Sequence, residues 1–329
     1  MIHRRTFIAR VAGGLLAARL ATVAQRAAAQ PKAIPVIGYL TYSGISPLDE
    51  AFRKGLRELG YVEGQNIRVE YRQADGNVER LKGLADELVR LQVNVIVAAS
   101  TQAVIAAKRA TSTIPIVFPV TFDPVESGFV ASLARPGGNL TGLSPINPTV
   151  TAKRVELLRE LLPHISRVAV LRDPTNPGSL FVARETEKSA KLLGISAQVF
   201  EVRTLDEMEP AFRAAKGARA DAMMVISDRF FSIQQNQVID LGRKYRLPQM
   251  FDTEAYVKNG GLMSYGADLT DLYQRAATYV DKILKGASPA NLPVEQAQNF
   301  ELFVNRKTAN ALGIVIPPSL LLRADEVIQ

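Results

Sequence analysis

Short runs of aliphatic and β-branched residues alternate along the chain with segments whose apolar positions recur every three to four residues, the pattern of strands and helices in turn. Pro35 to Leu40 predicts a first buried strand. Leu48, Phe52, Leu56 and Leu59 predict a helix that stops at Gly60. Ile67, Val69 and Tyr71 alternate as a strand; Leu81, Leu84, Leu88 and Leu91 mark a helix, and Val93 to Ala98 a further strand. A helix from Thr101, a strand from Ile114 to Val120, a helix from Pro124 to Leu133 and a strand around Leu140–Leu143 complete a first round.

The order then begins again. Strands are predicted at Arg167–Arg172, Gln198–Val202, Ala222–Ile226, Gln249–Phe251 and Gly261–Ser264. Helices lie between them, the first from Pro177 to Leu193 ahead of Gly194. Matching elements of the two rounds are separated by roughly constant spacing, so the halves are two copies of one plan. The expected fold class is α/β, with two doubly wound parallel-sheet lobes joined by a three-stranded hinge. The tail after Tyr265 is too short for a third lobe. Leu269, Leu272, Tyr273, Ala276, Tyr279, Val280 and Ile283 line one helix face that returns to the first lobe. Phe300–Val304 reads as a strand of the second. Lobe 1 is thus expected over residues 34–144 with 267–297, and lobe 2 over 145–266 with 298–329. The chain would cross between them near Ser144, Gly266 and Gln298.

The first thirty residues have a different character. Arg4-Arg5 precedes an apolar stretch from Val11 to Ala24, and Ala27-Ala28-Ala29 follows, so residues 1–29 are expected to be a twin-arginine-type export leader. The mature product is then expected in the periplasm, without stable membrane insertion. Five leader arginines account for five of the eight excess positive charges of the chain, and the remainder carries three. That small excess gives no nucleic-acid footprint. With no cysteine, disulfides, thiolate metal sites and a cysteine nucleophile are excluded.

Several local runs carry a resemblance: Ile37-Gly38-Tyr39-Leu40, Gly55 to Tyr61, Asp123-Pro124-Val125, Asn305 to Ala309, and Ile316 to Leu321. The most specific is Ser132 to Gly142, with Arg-Pro-Gly-Gly-Asn-Leu-Thr-Gly at its centre. With these, essentially the whole mature chain resembles the ABC-transporter substrate-binding family related to tryptophan-binding proteins, of type I periplasmic-binding-protein fold. The resemblance implies a protein that closes on a small ligand and delivers it to an ABC permease in the inner membrane. It also implies an amino-acid-like ligand, aromatic in the members whose ligands are known. A monomer without cofactor or metal is expected.

In open α/β sheets, ligands bind beyond the carboxyl ends of the strands, and in a two-lobed version both sets of ends face the cleft. This selects Tyr42, Ser43, Ser100, Thr101, Phe122 and Asp123 from the first lobe, with Thr121 beside them. From the second come Asn176, Ser227, Asp228 and Asp252, with Asp173 and Thr253 adjacent. Asn147 and Thr149 lie just past the first crossing. Ser100-Thr101 at a helix start suits a carboxylate and equally suits a plain helix cap. Asp123 before Pro124 can pair with a ligand ammonium or close an Asp-Pro turn. The corresponding acids, Asp228 and Asp252, are open to the same two readings. Together they give a zwitterion hypothesis, with carboxylate at Ser100-Thr101 and amine at Asp123. Tyr42, Phe122, Phe230, Phe231 and Tyr256 can stack on an apolar ligand or simply pack.

Catalytic signatures are missing from the chain. His164 is the sole histidine after the leader; no Gly-x-Ser-x-Gly elbow, metal-ligand spacing or dinucleotide fingerprint occurs. Gly137-Gly138 reads as a turn into a strand. The expectation is a binding protein for import rather than an enzyme. A periplasmic sensor of the same build is the alternative, and a carboxylate-pair hydrolase working in the cleft stands third.

Overall fold

The computed structural model describes residues 34–145 and 148–329, and Val36–Gln329 form one compact unit. The leader expected at residues 1–29 and the candidate Asn147 lie outside the described residues.

The first sheet is built on β1 (Val36–Thr41), followed by α1 (Pro47–Glu58), β2 (Arg68–Gln73), α2 (Val78–Arg90) and β3 (Val95–Ala98). Helix α1 starts where Ser46 N–H donates to the Asp49 carboxylate at 2.6 Å, so an acid in the first turn closes the helix end. Both neighbours run parallel to β1: Ile37 pairs with Val69 on one side and with Val95 on the other. Next come α3 (Thr101–Ala110), β4 (Ile116–Phe118) and β5 (Leu140–Ser144).

The second lobe opens with α4 (Pro148–Leu161), β6 (Arg167–Arg172), α5 (Pro177–Leu192), β7 (Ser196–Glu201), α6 (Leu205–Gly217) and β8 (Ala222–Val225). It continues through α7 (Arg229–Ile233), α8 (Gln235–Lys244), β9 (Gln249–Phe251), α9 (Glu254–Lys258) and β10 (Met263–Ala267). The chain then returns to the first lobe as α10 (Leu269–Leu284) and β11 (Glu295–Gln296). It ends in the second lobe with β12 (Phe300–Asn305), α11 (Arg306–Leu312), α12 (Pro318–Arg323) and β13 (Glu326–Ile328).

Strand orders are β11-β5-β4-β3-β1-β2 and β13-β12-β10-β9-β8-β6-β7. The first sheet is parallel throughout. In the second, β12 runs antiparallel to β10, with Ala267 opposite Phe300. Strand β10 leaves this lobe at its cleft end and the chain comes back at the same end, so β12 can only run the other way.

Two further differences separate the expected elements from the structure. Pro124–Leu133 is not a helix. After one turn, in which Phe129 N–H donates to the Pro124 carbonyl at 2.8 Å, Gly128 takes φ +68° and ends it. Helix α4 fills a stretch for which the sequence reading gave no element.

The core of the first lobe lies between β1, β3 and β4 on one side and α1 with α10 on the other: Ile37, Tyr39, Phe52 and Val97 meet Leu272, Ala276, Tyr279 and Val280. Helix α10, distant in sequence, supplies half of this layer. Gly55 of α1 lies against α10 so closely that a Cβ there would collide with the Gln274 carbonyl oxygen and the Ala277 methyl. In the second lobe, Leu158, Val168, Met224, Met250 and Val304 pack as the equivalent layer. These cores bring the carboxyl ends of both sheets to one shared gap.

Candidate functional site

The strand ends meet at a cavity between the lobes holding about 740 Å3 of free space, counting its opening to solvent. From the first lobe, Ser100, Thr101 and Gln102 at the start of α3 form one wall, with Phe122, Leu48 and Tyr273 beside them. From the second come Asn176, Ser227, Asp228, Arg229, Asp252 and Thr253. Arg154 of α4 completes the lining.

The candidates that lie among the described residues have definite places. Ser100 caps α3, its Oγ accepting the Ala103 N–H at 3.1 Å, and it also lines the cavity. The Thr101 and Gln102 amides that follow are first-turn N–H groups, which have no intrahelical partner by construction. Asn176 caps α5 by accepting the Gly178 N–H at 3.1 Å while facing the same space. Ser227, Asp228 and Asp252 lie together: the Asp252 carboxylate accepts the Ser227 N–H at 3.2 Å, and Asp228 accepts the Phe231 N–H at 3.1 Å as the cap of α7. Tyr42 and Ser43 line the wider mouth of the cleft and not the inner cavity. Asp123 is not part of the cavity lining; its carboxylate accepts the Val125 and Glu126 N–H groups at 3.0 and 2.9 Å and closes the turn at Pro124. Its local use explains its position without a ligand. Phe231 packs in the core and Tyr256 stacks on Phe251 at 4.3 Å.

Polar atoms at the cavity are left short of partners. The Ser227 hydroxyl, Asp252 Oδ1 and both polar atoms of the Gln102 amide are buried with no hydrogen-bond partner among the described residues. Buried polar groups are paired as a rule, so a cluster of unpaired ones around one space marks where a polar ligand fits. Burial holds the Asp228 carboxyl well above the usual carboxylate range, and the neighbouring Asp173 charge and hydrogen bond add to the shift. The Tyr42 phenol is pushed up by burial and then by the Asp173 and Asp228 charges. Burial lowers the affinity of Arg154 for its proton, opposed by the Asp252 charge. The Arg154 Nε donates to the Tyr265 carbonyl at 2.6 Å, one of five N–H donors on that group.

Among the described residues, several contacts join the lobes around the cavity. Arg229, on the second lobe, donates from Nε to the Ser43 hydroxyl at 2.6 Å and from Nη2 to the Gly44 carbonyl and the Asp49 carboxylate, each at 3.3 Å. Asp49 in turn accepts the buried Tyr39 hydroxyl. Phe122, carried by the first lobe, packs with Val150, Val170, Val182 and Ile226 of the second. Arg184 and Glu126 form an exposed ion pair at 3.0 Å. This is a closed cleft.

Two lobes closed over a lined space, each offering its strand ends, are the construction of a solute receptor. The family described as ABC transporter substrate binding protein matches residues 21–328. This chain belongs to that family. Among relatives of this substrate-binding protein is the tyrosine-binding protein of Clostridioides difficile (strain R20291), 26% identical over 283 residues that span 86% of this chain and 81% of the relative. A solved ABC domain in complex with L-Trp from Streptococcus pneumonia is 28% identical at a TM-score of 0.84, covering 89% of this chain and 99% of that one. A conserved domain protein from Vibrio cholerae is 29% identical, also at a TM-score of 0.84, with the same coverage. The α/β two-lobed fold expected from the sequence, and the family it resembles, are those found.

Among the lining residues of the substrate-binding protein that sequence reasoning missed are Gln102, Arg154, Arg229 and Tyr273. One carried a legible signal. Val150, Arg154, Leu157, Leu158 and Leu161 share the buried stripe of α4, and an arginine inside an apolar stripe is out of pattern. Arg229 and Gln102 stand one residue past their candidates Asp228 and Thr101. Tyr273 is set into the cavity by packing of α10, with its hydroxyl on the Ala99 carbonyl at 3.1 Å.

Proposed function

We propose that this protein is the periplasmic receptor of an ABC importer, closing on an amino acid with an apolar or aromatic side chain and handing it to the permease. The observation that carries the reading is the opposed set of polar groups that line the closed cavity. Asp228 and Asp252 offer buried carboxylate oxygens suited to an ammonium, while Arg154 and the first N–H groups of α3 offer donors suited to a carboxylate. In this reading the amine goes to the second-lobe acids rather than to Asp123. Leu48, Val120, Phe122, Leu269 and Tyr273 give the rest of the cavity an apolar wall for the side chain. The tyrosine-binding relative and the L-Trp complex support an amino-acid ligand. The protein binds and releases its ligand unchanged.

Calorimetric titration with the twenty amino acids tests the ligand class. Binding of one or a few is expected; binding only of sugars or dicarboxylates would refute it. Fractionation of the native cell tests the location, where the processed protein is expected in the periplasm. Loss of ligand uptake on deletion of the gene distinguishes import from sensing.

A further inference from the structure

Gln102 occupies the second position of α3, and the residue is part of the lining of the interlobe cavity. The residue is 5% exposed, and neither its amide oxygen nor its amide nitrogen has a hydrogen-bond partner among the described residues. The other polar groups there fall into two sets of opposite character. Ser227, Asp228 and Asp252 present acceptors, and Arg154 with the α3 amides presents donors. Those two sets are enough for the charged head of an amino acid, whose ammonium and carboxylate each need one kind of partner. A carboxamide is different, because it offers a donor and an acceptor side by side on one plane. Its complement is a neutral group that can do both, such as a hydroxyl, a phenol or another carboxamide. A hydrocarbon in that place would leave both amide atoms buried and dry. Sites built to hydrogen-bond a substrate group use that penalty to reject the analogue lacking it.

We infer that Gln102 is the specificity-determining residue of this cavity, selecting amino acids whose side chain carries a hydroxyl or carboxamide over hydrocarbon counterparts of similar shape. The inference rests on the amino-acid reading above. It assigns to the ligand side chain a polar group within an otherwise apolar frame, the frame lying along Leu48, Val120, Phe122 and Leu269.

The test is titration of the full chain with matched pairs: L-tyrosine and L-phenylalanine, L-threonine and L-valine, L-glutamine and L-methionine. In whichever pair binds, the polar member is expected to bind about 10- to 100-fold more tightly, the factor one well-made buried hydrogen bond supplies. In Gln102→Met, close in shape but without polar hydrogen-bonding groups, the ratio is expected to collapse to about one while the hydrocarbon member is retained. Equal affinity for both members in the wild type overturns the inference and leaves the amino-acid reading standing. So does a uniform loss of both members in a Gln102→Met protein that melts like the wild type, since that result assigns the amide to the head group. Should the variant not fold, the wild-type ratio alone decides. Absence of binding by all six overturns the inference, and titration with the remaining amino acids then decides its parent reading.

Discussion

Replacing Arg229 with methionine keeps the stem of the side chain and removes the charged fork that ties the second lobe to the first. The loss includes a hydrogen bond to the Ser43 hydroxyl at 2.6 Å and an ion pair with Asp49 at 3.3 Å, whose side chains are 10% and 1% exposed. Such charge-assisted bonds contribute about 1.5–3 kcal/mol each. Asp49 is not left dry, because Tyr39 and Ser46 still donate to it, the Ser46 hydroxyl at 2.7 Å. It does lose its countercharge in a buried place, which sets the net cost at about 2–3 kcal/mol. In the open form water solvates both partners, so this cost falls on the closed form alone. A ligand that binds by closing the cleft then loses affinity by the same amount, about 30- to 150-fold in Kd. Titration calorimetry reads the affinity, small-angle scattering the fraction closed, and a melting curve the integrity of each lobe. An affinity within threefold of wild type, with unchanged melting, would refute the idea that this contact holds the lobes together.

Gly178→Ala places a Cβ 2.7 Å from that of Phe122, which belongs to the opposite lobe. It is expected to weaken ligand binding by about tenfold or more through overpacking of the closed form while each lobe stays folded, as titration and melting would show. Asp228→Asn removes a carboxyl that burial and Asp173 hold above its ordinary value. The folded protein keeps this proton to higher pH than the unfolded chain does, so the group subtracts stability as pH rises through and above the ordinary carboxylate range. The ligand-free variant is therefore expected to melt higher than wild type at neutral pH, with the difference vanishing in acid, while its affinity for an amino acid falls about 10- to 100-fold. Gly55→Ala gains helix propensity of about 1 kcal/mol and forces α1 from α10, a cost of about 1–3 kcal/mol. A melting temperature lowered by a few degrees without loss of affinity is expected.

The two-lobed plan was legible because each buried strand is a short aliphatic run and each helix carries its stripe, signals that are local. The strand tips were legible too, and Ser100, Thr101, Phe122, Asn176, Ser227, Asp228 and Asp252 line the cavity as that rule selects. What the chain does not display is how the lobes meet. Phe122 is an aromatic among many until the second lobe is seen packed around it. Asp123 and Asp228 follow the same positional logic, yet one closes a turn at Pro124 while the other sits half-buried at the cavity. The difference comes from what lies opposite each, and only the closed cleft decides that. The expected helix over Pro124–Leu133 failed for a local reason instead, the left-handed Gly128.

The return of α10 to the first lobe has a bearing on how the molecule can be made and divided. The sheet face of Ile37, Tyr39 and Val97 is only partly covered, by α1, until Leu272, Tyr279 and Val280 reach it, and those residues come after nearly all of the other lobe. No single cut yields two self-sufficient pieces: a fragment ending at Ser144 would present an apolar surface to water and aggregate. During synthesis the portion made first stays unfinished until most of its partner has been made, so it must be kept from premature association while that partner is emerging.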